Sequence, residues 1–176
     1  EAGLLMAGRV TALWTAEYDS APMDGRESVE LVRGGVEGDR YCTGRGYYSP
    51  FDVCEVTLVA TEALETIRDD SGIDLTDGRH RRNVVTEGVD LPDLLGAQFG
   101  VGDALLEGTR PRPPCAHVED VAGEDGVASA LAGTRGGICA SVVEPGAVTV
   151  GDEIRVETGD PRSVGRAIVD RLRRDD

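Results

Sequence analysis

The stretch Ala97-Gln-Phe-Gly-Val-Gly-Asp-Ala-Leu-Leu-Glu-Gly-Thr-Arg-Pro-Arg-Pro-Pro-Cys-Ala-His-Val118 carries both a fold signal and a chemical one. Its first half reads as two short strands, Ala97–Gly100 and Ala104–Gly108, turning about Gly102-Asp103. Its second half reads as a loop. Pro113 and Pro114 fix the backbone and donate no ladder hydrogen bonds, and Cys115 follows them directly. Arg110 and Arg112 lie just upstream, and His117, one of only two histidines, lies two residues on. A thiol reacts as its thiolate, and nearby positive charge favours that form. Most free cysteines are small buried apolar residues, but a loop rich in proline and arginine is a poor place to bury one.

The pattern of short strands and Gly/Pro turns extends in both directions. Arg9–Trp14 alternates as a strand, Thr15–Arg26 is a loop with Pro22 and Gly25, and Val29–Val32 is a short strand. Cys54–Val59 is a strand whose Val56, Leu58 and Ala60 share a face. Thr61 is expected to cap a helix running to about Asp70, with Leu64 and Ile67 inward and Gly72 ending it. Asp74–Gly78 is a turn without the ligand spacing of an EF-hand. Leu91–Leu95 reads as a helical turn and Val127–Ala132 as a helical piece. Ile138–Val143 and Asp152–Glu157 are the last two strands, joined through Pro145-Gly146, and Cys139 alternates within the first as a structural residue. Asp160 and Pro161 open a terminal helix over about 161–174, with Val164, Ile168 and Leu172 on one face. The fold class is mostly β and barrel-like, a single domain with a few peripheral helices.

Composition narrows the function. The 176 residues include 33 acidic and 18 basic ones, for a formal charge of −15, and every basic residue is arginine. That balance argues against nucleic acid and against anionic membranes as partners. No apolar run reaches the ~20 residues of a membrane helix, and the N-terminus lacks the basic and apolar regions of a signal peptide. A cytoplasmic location is expected. Cys42, Cys54, Cys115 and Cys139 are far apart, so neither a zinc site nor a disulfide framework is expected. An acidic, lysine-free surface suits a salt-rich, halophilic cytoplasm, while a high-GC coding bias would also replace lysine with arginine.

Two further segments have ligand chemistry. Arg33-Gly-Gly-Val-Glu-Gly-Asp-Arg40 and the glycines after it let backbone approach a ligand closely, yet form neither a dinucleotide fingerprint nor a Walker loop. Arg79-His-Arg-Arg-Asn83 is the densest basic run in the chain. Arginine forks bind phosphate, and Asn83 offers a donor and an acceptor. A solvated charge run paired with acids is the plain alternative. Tyr47-Tyr-Ser-Pro-Phe51 offers aromatics for a pocket wall or for a simple packing cluster.

The cysteine segment, Gly35–Arg40, Arg81–Gly88 and Arg135–Gly146 running into Val150–Val156 together resemble the MOSC family, named for the C-terminal domain of molybdenum cofactor sulfurase. Four motifs in the family's order, over about Val29–Val156, make the resemblance specific. It implies a barrel-like β fold and a pterin molybdenum cofactor (molybdopterin). Arg81, Arg82, Asn83, Asp39, Arg40, Arg135, Gly136 and His117 would bind the cofactor, and Cys115 would be the catalytic thiol and the molybdenum ligand. Three activities follow as alternatives. The first is reduction of N-hydroxylated small molecules with a separate electron donor. The second is sulfur carriage as a Cys115 persulfide supplied by a separate cysteine desulfurase. The third is storage or delivery of the cofactor without turnover. Pyridoxal phosphate is excluded as a covalent cofactor of this chain, because there is no lysine to form its Schiff base.

If the acidity is a surface adaptation to salt, crowded carboxylates repel less as the Debye length falls from ~10 Å at 0.1 M to ~3 Å at 1 M salt. The melting temperature should then rise steeply from low salt to multimolar potassium chloride. A flat or falling series would leave coding bias as the account of the missing lysine.

Overall fold

The computed structural model describes residues 4–18, 20–40, 42, 54–112, 118 and 121–157. The expected terminal helix over 161–174, the aromatic group at 47–51, and Cys115 and His117 lie outside them. Eleven strands are described: β1 Leu4–Thr15, β2 Asp24–Arg26, β3 Ser28–Val32, β4 Gly35–Val36, β5 Val56–Ala60, β6 Val84–Glu87, β7 Gln98–Val101, β8 Ala104–Pro111, β9 Ile138–Glu144, β10 Gly146–Thr149 and β11 Glu153–Glu157. Two α-helices are described in full, α1 Thr61–Ser71 and α2 Val127–Ala130, with 3-10 turns at Leu91–Leu94 and Gly133–Gly136.

Seven strands close into a barrel in the order β1-β11-β7-β8-β9-β5-β6 and back to β1. The closing pair is antiparallel, with Leu5 opposite Val156 and Gly8 opposite Ile154. Closure removes the open sheet edges that would otherwise template unwanted pairing. β2 adds to β1 outside the ring, and β10, β3 and β4 form a separate three-stranded sheet. One pair in the ring is parallel, β5 with β6, and parallel neighbours need a crossover. α1 supplies it, and the two strands are therefore buried on both faces. Leu58 and Val84 join a core cluster that draws on all seven barrel strands, including Val10, Phe99, Leu106, Ile138 and Ile154. Their neighbours Val59 and Val85 pack instead with Leu64 and Ile67 of α1 and with Leu75, Val127 and Leu131.

Several local readings change. Thr61 is not the cap of α1: Ala60 holds that position without a side-chain bond, and Thr61 Oγ1 shares a 2.8 Å hydrogen bond with Thr11 Oγ1 across to β1. Gly72 does end the helix in the left-handed conformation, donating to the Arg68 carbonyl. The connection through Pro145-Gly146 contains a strand of its own, β10, which leaves the barrel to pair with β3. β2 and β4 also fall in segments expected as loops. The expectation against disulfides fails at one pair. Buried Cys54 and Cys139 are bonded, with Cα atoms 5.3 Å apart and a sequence separation of 85. Cys139 is structural as expected, through a covalent link that its strand position did not reveal.

Gly137 and Gly133 both sit at positive φ, +82° and +66°. A Cβ at Gly133 would meet open space, whereas one at Gly137 would overlap the Leu58 carbonyl. Gly133→Ala should cost about 1 kcal/mol, the left-handed penalty alone. Gly137→Ala should cost at least about 2 kcal/mol more, because backbone of β5 has to shift. Urea denaturation of the two variants side by side measures the difference.

Candidate functional site

The basic run Arg79–Arg82 divides. Arg79 turns to the surface, where it bonds Asp77, Glu124 and the Asp74 carbonyl. Those acids, Glu124 first, hold its guanidinium above its ordinary value. This is the solvated charge run anticipated as the plain alternative. His80, Arg81, Arg82 and Asn83 are instead buried. Arg81 has φ +62°, a conformation that costs a side-chain-bearing residue energy and needs support from its surroundings. The support is visible. Its N–H donates to the Gly78 carbonyl, Nη1 donates to the Ala21 carbonyl at 2.6 Å, and its own carbonyl accepts from Arg40 Nη2 at 3.1 Å.

Arg40 ties in the glycine-rich segment. It forms a buried ion pair with Asp39 at 3.1 Å, and Asp39 Oδ1 also accepts the Ala16 N–H at 3.0 Å. Arg82 reaches the opposite way. Its Nε donates to the Gly136 carbonyl and its Nη1 to the His80 carbonyl, both at 2.9 Å. Gly136 lies where a Cβ would meet the Arg112 carbonyl at 2.4 Å–too close for any other residue without backbone movement. The buried Arg112 N–H donates in turn to the Gly137 carbonyl at 2.9 Å. Hydrogen bonds thus join Asp39, Arg40 and Arg81 on one side and Arg82 with Gly136 on the other. The Arg81–Arg82 peptide link connects the two halves, and Arg112 bonds Gly137, next to Gly136, to make one continuous network. Arg112 is three residues ahead of Cys115, and Val118, three residues beyond it, is buried in the α1-side core.

Asn83 is placed beside the network and bonded mostly to the fold. Its Oδ1 accepts from Thr57 N–H and Thr57 Oγ1, each at 3.1 Å, and its Nδ2 donates to the Trp14 carbonyl. The Arg135 side chain is not brought into the network. It pairs with Asp70 of α1 at 2.8 Å and borders an open groove of about 490 Å³ with Ala63, Thr66, Val89 and Leu91. Neighbouring glycine backbone, rather than Arg135 itself, meets Arg82.

The sequence reading gave no role to His80, and gave Arg112 only that of positive charge favouring the Cys115 thiolate. His80 is fully buried, and its Nδ1 accepts the Arg82 N–H at 2.9 Å. The ring proton therefore sits on Nε2, which has no hydrogen-bond partner among the described residues. Trp14 packs edge-on to it at 6.2 Å. Burial first, then the charges of Arg82 and Arg81, push His80 from 6.5 down to about 3. The available signal was its rarity, one of two histidines at the centre of a basic run. Cys42 is a free thiol raised by burial and by Asp39, Glu37 and Glu55, so it is a weak nucleophile. Among the described residues there is no group of three or more His, Cys, Asp or Glu placed to hold a metal, and no helix long and apolar enough to cross a membrane.

The MOSC domain family matches residues 51–155, more than half the chain, and the protein belongs to that family. Its fold is similar to the YuaD protein from Bacillus subtilis, with a TM-score of 0.71 at 22% identity, over 89% of this chain and 98% of that one. It is also similar to YiiM from Escherichia coli, with a TM-score of 0.61 at 20% identity, over 86% of this chain and 70% of that one. No curated protein matches the chain.

A neutral buried His80 has a consequence in acid. In the unfolded chain it titrates near 6.5 and in the folded chain near 3. Between these values the unfolded state binds the extra proton, so the stability contribution is complete above about pH 6.5 and is lost as pH falls. The slope is about 1.4 kcal/mol per pH unit. Urea denaturation from pH 7 to pH 5 should show His80→Gln losing less stability than the wild type. Equal slopes would mean that His80 is not held neutral.

Proposed function

We propose that this protein binds a pterin molybdenum cofactor at the arginine network and that Cys115 is the thiolate ligand of its metal. The observation that carries the reading is the junction of Arg40, Arg81, Arg82, Gly136 and Arg112 in one network at the entry to the cysteine segment. Among the described residues, the buried charged side chains other than His80 are Arg40, Arg81, Arg82, Arg112 and Asp39. That concentrates positive charge in a chain of net −15, and such a donor set suits an anionic, phosphate-bearing ligand. Covalent geometry keeps the Cys115 Cα within about 11 Å of Arg112's. The other three cysteines are less suited to the role, two being joined in a disulfide and the third held protonated.

In this reading Arg82 and Arg112 hold the anionic end of the ligand, and His117 is a further cofactor-binding residue. Asp39 and Arg40 fix Arg81 in its strained conformation. Asn83 keeps the segment anchored to β5. When bound, the cofactor supplies the two-electron chemistry. Reducing an N-hydroxylated amine consumes two electrons and two protons and releases water. The electrons come from a separate donor, since the sequence has no flavin, nicotinamide or iron–sulfur motif.

The test is metal analysis of protein expressed with cofactor synthesis intact, wild type against Cys115→Ser and Arg82→Ala. Charged hydrogen bonds are worth about 1.5–3 kcal/mol each, so Arg82→Ala should weaken cofactor binding by about one to two decades. Cys115→Ser should abolish turnover and keep the wild-type melting curve. Full molybdenum and full turnover in Cys115→Ser would overturn the assignment. A persulfide on Cys115 in molybdenum-free protein would establish sulfur carriage instead, and bound cofactor without turnover would establish storage or delivery.

A further inference from the structure

We propose that the Cys54–Cys139 bond is a redox-controlled clamp on the joint between β5, β9 and the arginine network, whose release leaves the barrel closed. Cys139 lies in β9, where it faces Thr57 of β5 in the antiparallel ladder and Arg110 of β8 on its other side. Cys54 lies two residues before β5. The bond therefore fastens the entry of β5 to the start of β9, immediately beside Thr57.

Thr57 is the residue on which Asn83 stands. It bonds Asn83 through its N–H, its carbonyl and its hydroxyl, all at 3.0–3.1 Å. Asn83 is adjacent in sequence to Arg82, and Arg82 reaches Gly136, two residues before β9 begins. The Cys139 carbonyl also accepts from Thr109 Oγ1 on β8 at 3.2 Å, three residues ahead of Arg112. Breaking the bond frees the entry of β5 from β9 at the place where these contacts meet. The far wall of the barrel, β7 and β11, is held by its own ladder, with Val101 opposite Ile154 and Phe99 opposite Val156. Nothing in that ladder depends on either cysteine.

The chemical step is a thiol–disulfide exchange. An external dithiol gives two electrons and two protons, the sulfur–sulfur bond breaks to two thiols, and the dithiol closes to its own disulfide. Both cysteines are buried, so exchange proceeds through local opening rather than at a standing surface. The inference does not rest on the cofactor reading and is tested on the protein without any ligand.

The first measurement is alkylation of denatured, unreduced protein followed by mass spectrometry. Cys42 and Cys115 should be labelled, and Cys54 and Cys139 only after reduction. The second is amide hydrogen exchange on the folded protein before and after dithiol treatment. The Thr57 and Asn83 amides should exchange about tenfold faster or more after reduction, with Val101 and Ile154 changing less than about twofold. The Cys54→Ala/Cys139→Ala variant should match the reduced pattern and be insensitive to the dithiol. Labelling of all four cysteines without reduction would overturn the proposal. So would an equal rise at all four amides, which marks a merely global cross-link, or no rise at any of them.

Discussion

The Asn83 side chain is the contact on which the arrangement of the described residues depends most. It completes two strands at once. Thr57 of β5 donates twice to its Oδ1, and the Trp14 carbonyl of β1 accepts from its Nδ2. The backbone repeats the connection, with Trp14 N–H to the Asn83 carbonyl and Asn83 N–H to the Thr57 carbonyl. Buried amides of this kind are costly unless satisfied. Here satisfaction also fixes where β6 begins, between an antiparallel neighbour on one side and a parallel neighbour on the other. The arginines that precede it are positioned by that start point.

From the joint outward, strain and support alternate. Arg81 occupies a left-handed backbone conformation while buried. Held in that way, its carbonyl meets Arg40, and the next residue can turn its guanidinium toward Gly136. Gly136 is needed there because the Arg112 and Leu131 carbonyls leave no room for a side chain. Backbone packing and charge placement are thus the same feature seen from two sides. Segments 90 and more residues apart in the chain, around Asp39 and around Gly136, meet through two arginines that are neighbours in sequence.

The barrel was legible because its strands alternate and its turns are marked by glycine and proline. The barrel strand β6 was not read as a strand, but the other barrel strands, β1, β5, β7, β8, β9 and β11, show that signal, as does β3 in the separate sheet. β2 does not, since its three residues are exposed throughout and carry no apolar alternation. β4 has only two residues, and β10 follows a proline directly. The parallel pairing of β5 with β6 is a consequence of where α1 packs, which local periodicity does not encode. The disulfide was missed because sequence gives spacing and not proximity. Of the expected site, the arginine run and the glycine-rich segment were found, as residue types with an evident use for anions. The burial of His80 was not, because a basic run does not show which of its members turns inward, nor was the tie from Arg112 to Gly137, which joins residues distant in sequence. Arg135 was expected in the network on motif alone, and its side chain instead finds Asp70.

Charge composition and site geometry also separate once burial is known. Every basic residue is arginine, which at surface positions such as Arg68 or Arg79 is compatible with coding bias or with a salt-adapted exterior. The buried positions obey a different constraint. Arg82 donates from Nε and Nη1 to two separate carbonyls, and Arg40 donates from Nη1 to Asp39 and from Nη2 to Arg81. A planar fork reaches two fixed acceptors in one geometry and remains charged when buried, whereas a lysine ammonium is a point charge that loses its proton more readily there. At these positions a lysine would leave a buried carbonyl without its donor whatever the cell's salt or codon usage. The arginine network is therefore required by the fold around it, and only the exposed arginines carry information about the surroundings in which the protein evolved.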